Sequence, residues 1–246
     1  MIVRDRRLRW PIAAKFEAAV RHQIVRGVDR RAKYLLIRLE TGTMILHLGM
    51  SGSLRLIRAG TPPKAHDHWD LVLDSGIALR FHDPRRFGSL HFTADDPAKH
   101  ALLKKLAPEP LGQEFNGEYL FKATRRRAVA IKQLIMNSQI VVGVGNIYAS
   151  EALFRARISP RRAAGRITRA EAEKLAKAIK AVLTAAIKIG GTTLRDYVNA
   201  DGAPGYFRQK LFVYERAGEA CRVCASVVKQ FAQGQRSTYW CSSCQR

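Results

Sequence analysis

Four cysteines stand in the last 26 residues of the chain, as Cys221-x-x-Cys224 and Cys241-x-x-Cys244 with 16 residues between the pairs. A two-residue gap lets paired thiolates turn onto one ion, and four sulfurs at about 2.3 Å complete the tetrahedron of a structural Zn2+. All four positions are then filled by protein, so water has no place on the metal and the expected single zinc is structural. In so short a segment it supplies folding free energy, roughly 10–16 kcal/mol in zinc-finger peptides. Two disulfides or a redox CxxC are the competing readings, but a secreted disulfide scaffold spreads its cysteines along the chain. Between the pairs lie Lys229, Gln233, Gln235, Arg236, Ser237 and Thr238. A metal-held tip of that chemistry suits a DNA-backbone contact; the plain alternative is a solvated turn.

Other residues carry weaker signals. Gly143-Val-Gly145-Asn146 feeds a helix-compatible stretch, and a helix N-terminus binds phosphate through its free N–H groups and dipole. It is not a dinucleotide fingerprint, because the third glycine would fall at Tyr148. Asp83-Pro-Arg85-Arg86-Phe87-Gly88 lies between two expected strands and sets guanidiniums beside an aromatic, the chemistry of a probe that wedges between bases and fills a vacated position. Phe87 in the core with both arginines in water is the alternative. Met50, flanked by Gly49 and Gly52, is either core or a second wedge. His66-Asp67-His68 has no further ligand in place to complete a metal site and reads as phosphate contact or structure. Arg125-Arg126-Arg127, and Arg30-Arg31 with Lys33, are basic clusters of a kind that often marks a solvated face.

The 246 residues that must position these groups are 47% hydrophobic, enough for a real core, and hold 43 Lys and Arg against 20 Asp and Glu, a formal charge of +23. That charge points to polyanions, above all nucleic acid. No apolar run reaches the roughly 18 residues of a membrane span, and the opening MIVRDRRLRWPI has no signal-peptide core; a soluble intracellular protein is expected. Six runs rich in Val, Ile, Leu and Phe between Tyr34 and Phe92 predict an antiparallel sandwich or barrel. Beyond residue 95 the period becomes helical. Helices are expected over Pro11–Gln23, Lys99–Leu106, Val129–Asn137, Asn146–Arg155 and Thr168–Ile189. The last opens with a capping box, Thr168-x-x-Glu171, and runs one apolar face through Ala172, Leu175, Ala176, Ile179, Val182, Leu183, Ala186 and Ile187. No internal repeat or low-complexity tract is present. The fold class is α+β in two lobes, an N-terminal antiparallel β-sandwich and a helical lobe carrying a zinc hairpin. The expected divisions are 1–107, 108–209 and 210–246.

In this order the pieces resemble the bacterial formamidopyrimidine-DNA glycosylase and endonuclease VIII family, most closely its oxidised-purine branch. The resemblance runs through RRAKYLL at Arg30–Leu36, HLGMSGSLR at His47–Arg55, HDPRRFG at His82–Gly88 and VVGVGNIYASEALF at Val141–Phe154. It continues through GGTTLRDYVNADGAPGYF at Gly190–Phe207 and QRSTYWC in the finger. It implies a sandwich joined to a helix–two-turn–helix lobe with a zinc finger. It further implies base-excision repair of double-stranded DNA bearing oxidised bases or abasic sites, by a cytoplasmic monomer with glycosylase and β,δ-lyase activity. Lys33 then matches the lysine that assists β-elimination, and Arg236 the finger arginine tied to δ-elimination and to gripping the lesion phosphates. Asn146 matches the phosphate-binding asparagine. Met50, Arg85 and Phe87 match the trio that fills the hole left by the everted base, and His66 and Arg127 fall at DNA contacts. The 191–207 loop matches one that covers the flipped purine.

One feature departs from the family pattern. Its members open with a proline, whose free amine attacks C1′, and a glutamate acid–base partner; here Met1 aligns about two dozen residues later and Ile2 and Val3 follow it. The expectation is a start called too late or a truncated relative, one that binds damaged DNA and excises little. A lysine stands in poorly, since its pKa near 10.4 keeps it protonated where an α-amine near 8 is partly neutral. A catalytically inactive relative acting as a damaged- or abasic-DNA-binding module is the alternative function. A ribosomal or RNA-binding zinc ribbon would explain the charge and the cysteines but leaves DPRRFG without a purpose.

Overall fold

The computed structural model describes residues 1–190 and 211–246; the expected loop over 191–207 lies outside the described residues. Two compact units result, one over Met1–Lys104 and one that begins at Lys105.

The first unit holds eight strands. Sheet one runs β1 (Ile2–Val3), β6 (Asp67–Val72), β7 (Ile77–His82), β5 (Ser53–Arg58). Sheet two runs β2 (Val25–Arg31), β3 (Tyr34–Leu39), β4 (Thr43–His47), β8 (Ser89–Thr93). Every pairing is antiparallel. Ile37, Leu39, Met44, Leu46 and Leu90 from one sheet meet Trp69, Leu71 and Phe81 from the other in a single core. Trp69 and Phe81 stack there with centroids 5.3 Å apart. The six expected strands are all present; the two added ones, β1 and β2, are short or mostly exposed and so lack the alternation that marks a half-buried strand. Around the core the expected helix over 11–23 contracts to α1 (Phe16–Val20), because the chain turns extended at Arg21; Phe16 and Val20, one turn apart, bury together. The helix expected over 99–106 does not form. A 3₁₀ turn at Pro97–Lys99, capped by Asp96, ends where His100 goes extended, and turns follow.

The second unit holds α2 (Gly117–Thr124), α3 (Ile131–Ile135), α4 (Asn146–Ala156), α5 (Arg169–Lys188) and the hairpin of β9 (Lys229–Gln233) with β10 (Arg236–Trp240). In α5 the capping box is complete in both directions and the predicted apolar face is buried, except that Ile187 stands 66% exposed in the last turn. Helix α2 packs against α5 through Gly117: a Cβ there would lie 2.6 Å from the Cα of Glu173.

Candidate nucleic-acid interface and metal centre

Register brings five of the predicted site residues to one end of the sandwich. Tyr34 faces His47 across β3 and β4, and His47 faces Ser89 across β4 and β8. The β2–β3 turn bearing Lys33 therefore shares an end with the 48–52 and 83–88 loops. Ser53 and Asp67 both pair His82, which adds the turn that ends at His66. The peptide N–H of Asp83 donates to the carbonyl of His66 at 3.0 Å.

The two long loops are locked together by Asp83, which has no exposed surface. Its Oδ1 accepts from the Ser51 hydroxyl at 2.6 Å and its Oδ2 from the Gly88 N–H at 2.7 Å. Its own carbonyl lies 2.7 Å from His68 Nε2. Gly49, at φ +71°, comes so close that a Cβ would meet the Phe87 carbonyl carbon at 2.5 Å; any side chain there would be both strained and blocked. Held this way, Met50 and Phe87 stand outside the core, 59% and 43% exposed. The Arg85 guanidinium lies 5.0 Å over the Phe87 ring. Large apolar side chains kept at rigid loop tips await a partner surface, and a guanidinium beside them supplies donors that a base edge accepts.

Lys33 is exposed, in a turn that places Ala32 at φ +55°. Burial, then the nearby charges of Lys33 and Arg9, push the His47 imidazole down to about 4. His47 is therefore neutral at pH 7. Its Nδ1 accepts the Gly49 N–H at 2.9 Å, which leaves Nε2 as the donor. His66 is exposed and packs edge-on to His82.

In the second unit α3, a pair of turns and α4 follow one another. Gly143 has φ +80° and Gly145 is the N-cap of α4, without a side-chain cap, so the amide end of this helix opens onto a residue with no Cβ. Asn146 is the first helical residue rather than the cap itself. Its Oδ1 accepts from Lys132 Nζ at 2.6 Å, and its Nδ2 donates to the Ser237 carbonyl at 3.0 Å and the Tyr214 hydroxyl at 3.3 Å. Lys132 also donates to Thr238 Oγ1 at 2.7 Å and the Ser237 carbonyl at 3.2 Å. This lysine is 1% exposed; burial first, then Arg236, lower its pKa to about 8. It joins the helix pair to the finger, and sequence reading missed it. Glu151, also missed, is buried on α4 and accepts the N–H groups of Phe212, Val213 and Tyr214 at 2.9–3.0 Å, which pins the chain entering the finger.

The hairpin turns through Gly234 and Gln235, at φ +56° and +58°, the paired left-handed geometry of a two-residue hairpin. Arg236 emerges exposed just after it. The tip lies against α3: a Cβ on Gly234 would meet Gln133 Nε2 at 2.6 Å. Arg127 is exposed in the turn after α2, its carbonyl accepting from the Gly165 N–H at 2.8 Å.

The four cysteine sulfurs lie within 4.8 Å of one another, with Cys221–Cys244 at 4.0 Å and Cys224–Cys241 at 3.4 Å. Those separations are too long for disulfides at about 2.05 Å. They bracket the roughly 3.8 Å edge of a tetrahedron with 2.3 Å metal–sulfur bonds, so the donor set fits one Zn2+. Among the described residues no other His, Cys, Asp or Glu group gathers as a metal site.

Family models match in chain order: the formamidopyrimidine-DNA glycosylase N-terminal domain over 1–90, its H2TH domain over 106–198, and the zinc finger found in FPG and IleRS over 218–246. The chain belongs to the formamidopyrimidine-DNA glycosylase family. A relative of that name from Stutzerimonas stutzeri is 55% identical over all 246 residues, which span 91% of its length. Among solved glycosylases of this family, MutM (Fpg) from Thermus thermophilus superposes at TM-score 0.83 with 40% identity, over 91% of this chain and 83% of that one. Lactococcus lactis Fpg, in complex with DNA containing an abasic site, superposes at TM-score 0.90 with 29% identity, over 100% and 90%. The glycosylase fold is thus present in both units, and none of its described helices is long and apolar enough to cross a membrane.

Proposed function

We propose that this chain works in base-excision repair, removing oxidised purines such as formamidopyrimidines and 8-oxoguanine from duplex DNA and then cutting the strand. An amine attacks C1′, the glycosidic bond breaks and the base departs as its protonated form. The amine loses its proton, the C1′–O4′ bond then opens with O4′ taking up a proton, and C1′ is left as an iminium. The iminium acidifies C2′–H; loss of that proton expels the 3′ phosphate, and a second elimination expels the 5′ phosphate. In this reading Met50, Arg85 and Phe87 occupy the vacated base position, while His66, Arg127 and Asn146 hold backbone phosphates. Lys33 assists β-elimination, Arg236 grips the lesion phosphates for δ-elimination, and Cys221, Cys224, Cys241 and Cys244 hold the zinc that keeps Arg236 in place. The protein acts as a monomer in the bacterial cytoplasm.

The observation that carries the reading is the pair of exposed wedges, Met50 and Phe87, fixed by a fully buried carboxylate in a chain whose net charge is +23. Borohydride trapping tests it. The zinc-loaded protein should bind 8-oxoguanine or abasic duplex more tightly than intact duplex. With the family's Pro-Glu segment at its N-terminus it should trap a covalent adduct that the same fusion with its proline nitrogen blocked does not form. Equal trapping by the free and blocked fusions would overturn the assigned nucleophile, and equal binding to damaged and intact duplex would overturn the whole reading.

A further inference from the structure

At the carbonyl end of α4 an open groove of about 770 Å³ runs between α4, α5 and the finger, a volume typical of sites that hold a ligand. Its floor is apolar. Phe154 and Phe212 stack with centroids 5.4 Å apart at 25°, and Ala178 and Ala181 keep the facing side of α5 low. Lys174, Lys177, Ala178 and Ala181 recur at three- and four-residue steps, so one stripe of α5 carries both the trough and its charged rim. Arg155 and Arg157 supply the opposite rim, Arg155 reaching to 5.6 Å from the Phe212 ring. The described lining therefore contains four cations and no carboxylate; Cys244 of the metal centre also borders it, its thiolate charge shared with the zinc it would hold. Lys177 has a partner in Glu173 at 3.2 Å, an exposed pair of the kind that costs little to exchange.

We infer that this groove docks an extended acidic peptide of another protein, with an aromatic or large aliphatic side chain on the Phe154–Phe212 floor and carboxylates on the flanking cations. Nucleic acid suits it less well. The groove lies at the opposite end of α4 from the amide end that suits a phosphate. The helix dipole there opposes phosphate and carboxylate alike, and the four flanking cations offset it. Eleven residues at 1.5 Å rise separate it from Asn146 by roughly 15 Å along the helix. A floor of stacked rings and alanines also rewards an inserted side chain more than a solvated backbone. Peptide and DNA can then occupy the unit together, so the groove would bring the glycosylase to a partner without releasing it from damage.

Fluorescence anisotropy with the zinc-loaded 246-residue protein tests this. The probe is a labelled Asp-Glu-Asp-Leu-Phe-Asp peptide, compared with one in which Leu and Phe are replaced by Ser. Saturable binding of the first, at least about tenfold tighter than the second, supports the groove. The double variant Lys174→Glu/Lys177→Glu should lose about tenfold or more in peptide affinity while abasic-duplex affinity changes less than about twofold. Ala181→Trp, on an exposed position of α5, should block the floor without changing charge, which separates the groove from general attraction to a basic protein. The proposal falls if the two peptides bind alike, if Ala181→Trp binds as tightly as the parent, or if intact duplex displaces the peptide and the double variant loses DNA affinity in parallel. Light scattering that shows a dimer dissociated by Ala181→Trp would also overturn it, since a second copy would then be the occupant. None of these outcomes bears on damage recognition, which is read by the abasic-to-intact duplex ratio.

Discussion

Asp83 and Lys132 are single side chains on which several functional groups depend. Asp83 is the acceptor for Ser51 and Gly88, so Asp83→Ala orphans two donors inside the protein, at about 1–3 kcal/mol each. The expected result is a lower melting temperature together with a severalfold loss in the preference for abasic over intact duplex, because the Met50 and Phe87 loops lose their common anchor. Asp83→Asn, which keeps one acceptor, should fall between. A stability loss with an unchanged preference ratio would reduce Asp83 to a purely structural role. Lys132 is a buried cation met by neutral acceptors, those of Asn146, Ser237 and Thr238. Its pKa of about 8 lies below the ordinary 10.5, so the unfolded chain keeps a proton that the folded one releases between those values. The cost of its burial is fully present below pH 8, and stability rises as pH climbs from 8 toward 10.5; a gap of that size corresponds to roughly 3 kcal/mol. In urea unfolding between pH 7.5 and 9.5, the parent should gain on Lys132→Met as pH rises. Parallel curves would show that the lysine does not titrate there.

The finger is held at two levels, by its metal and by a shared core in which Cys221, Cys241, Val213 and Val228 pack with Phe154 of α4. Cys241→Ser should therefore reduce bound zinc from one per chain toward none and free the β9–β10 hairpin. Amide exchange over 229–240 is expected to accelerate at least about tenfold while α5, with its own capping box and apolar face, keeps its protection. Exchange that rises equally in α5 would mean the finger is not a separate cooperative unit. Legibility in the sequence followed the same division. Helix α5 and the cysteine cluster were readable because period, cap and spacing are written locally, as were the central strands of the sandwich. Helix α2 was not, since Gly117 reads as a breaker until Glu173 of α5 shows why no side chain fits there. Lys132, Glu151 and Asp83 were equally silent as anchors: the acceptor Thr238 lies 106 positions from Lys132, Glu151's donors are 61–63 positions away and Ser51 is 32 from Asp83. What was legible at the candidate site was chemistry exposed at turns, and what was hidden was the buried polar bonding that aims it.

For the molecule as a whole, a formal charge of +23 makes attraction to any duplex inevitable, and the question is how damage is preferred on that background. Phosphate contacts release counterions and carry no information about the base, whereas wedges at a vacated position release none and carry all of it. The two contributions can therefore be separated by salt. Each neutralised phosphate adds about −0.9 to the slope of log K against log salt. Arg127→Ala should weaken abasic and intact duplex by similar factors and make the slope less steep by about 0.9. Phe87→Ala and Met50→Ala should leave the slope as it is and erode the abasic-to-intact ratio, with the double variant losing most of the preference. Titrations by anisotropy from 50 to 200 mM salt, roughly the range over which such contacts cost decades of affinity, decide it. If Phe87→Ala flattened the slope, or Arg127→Ala changed the ratio and not the slope, the division of labour between phosphate-gripping cations and apolar wedges would be wrong. Damage preference would then have to arise from how easily the cations deform a duplex that lacks a base.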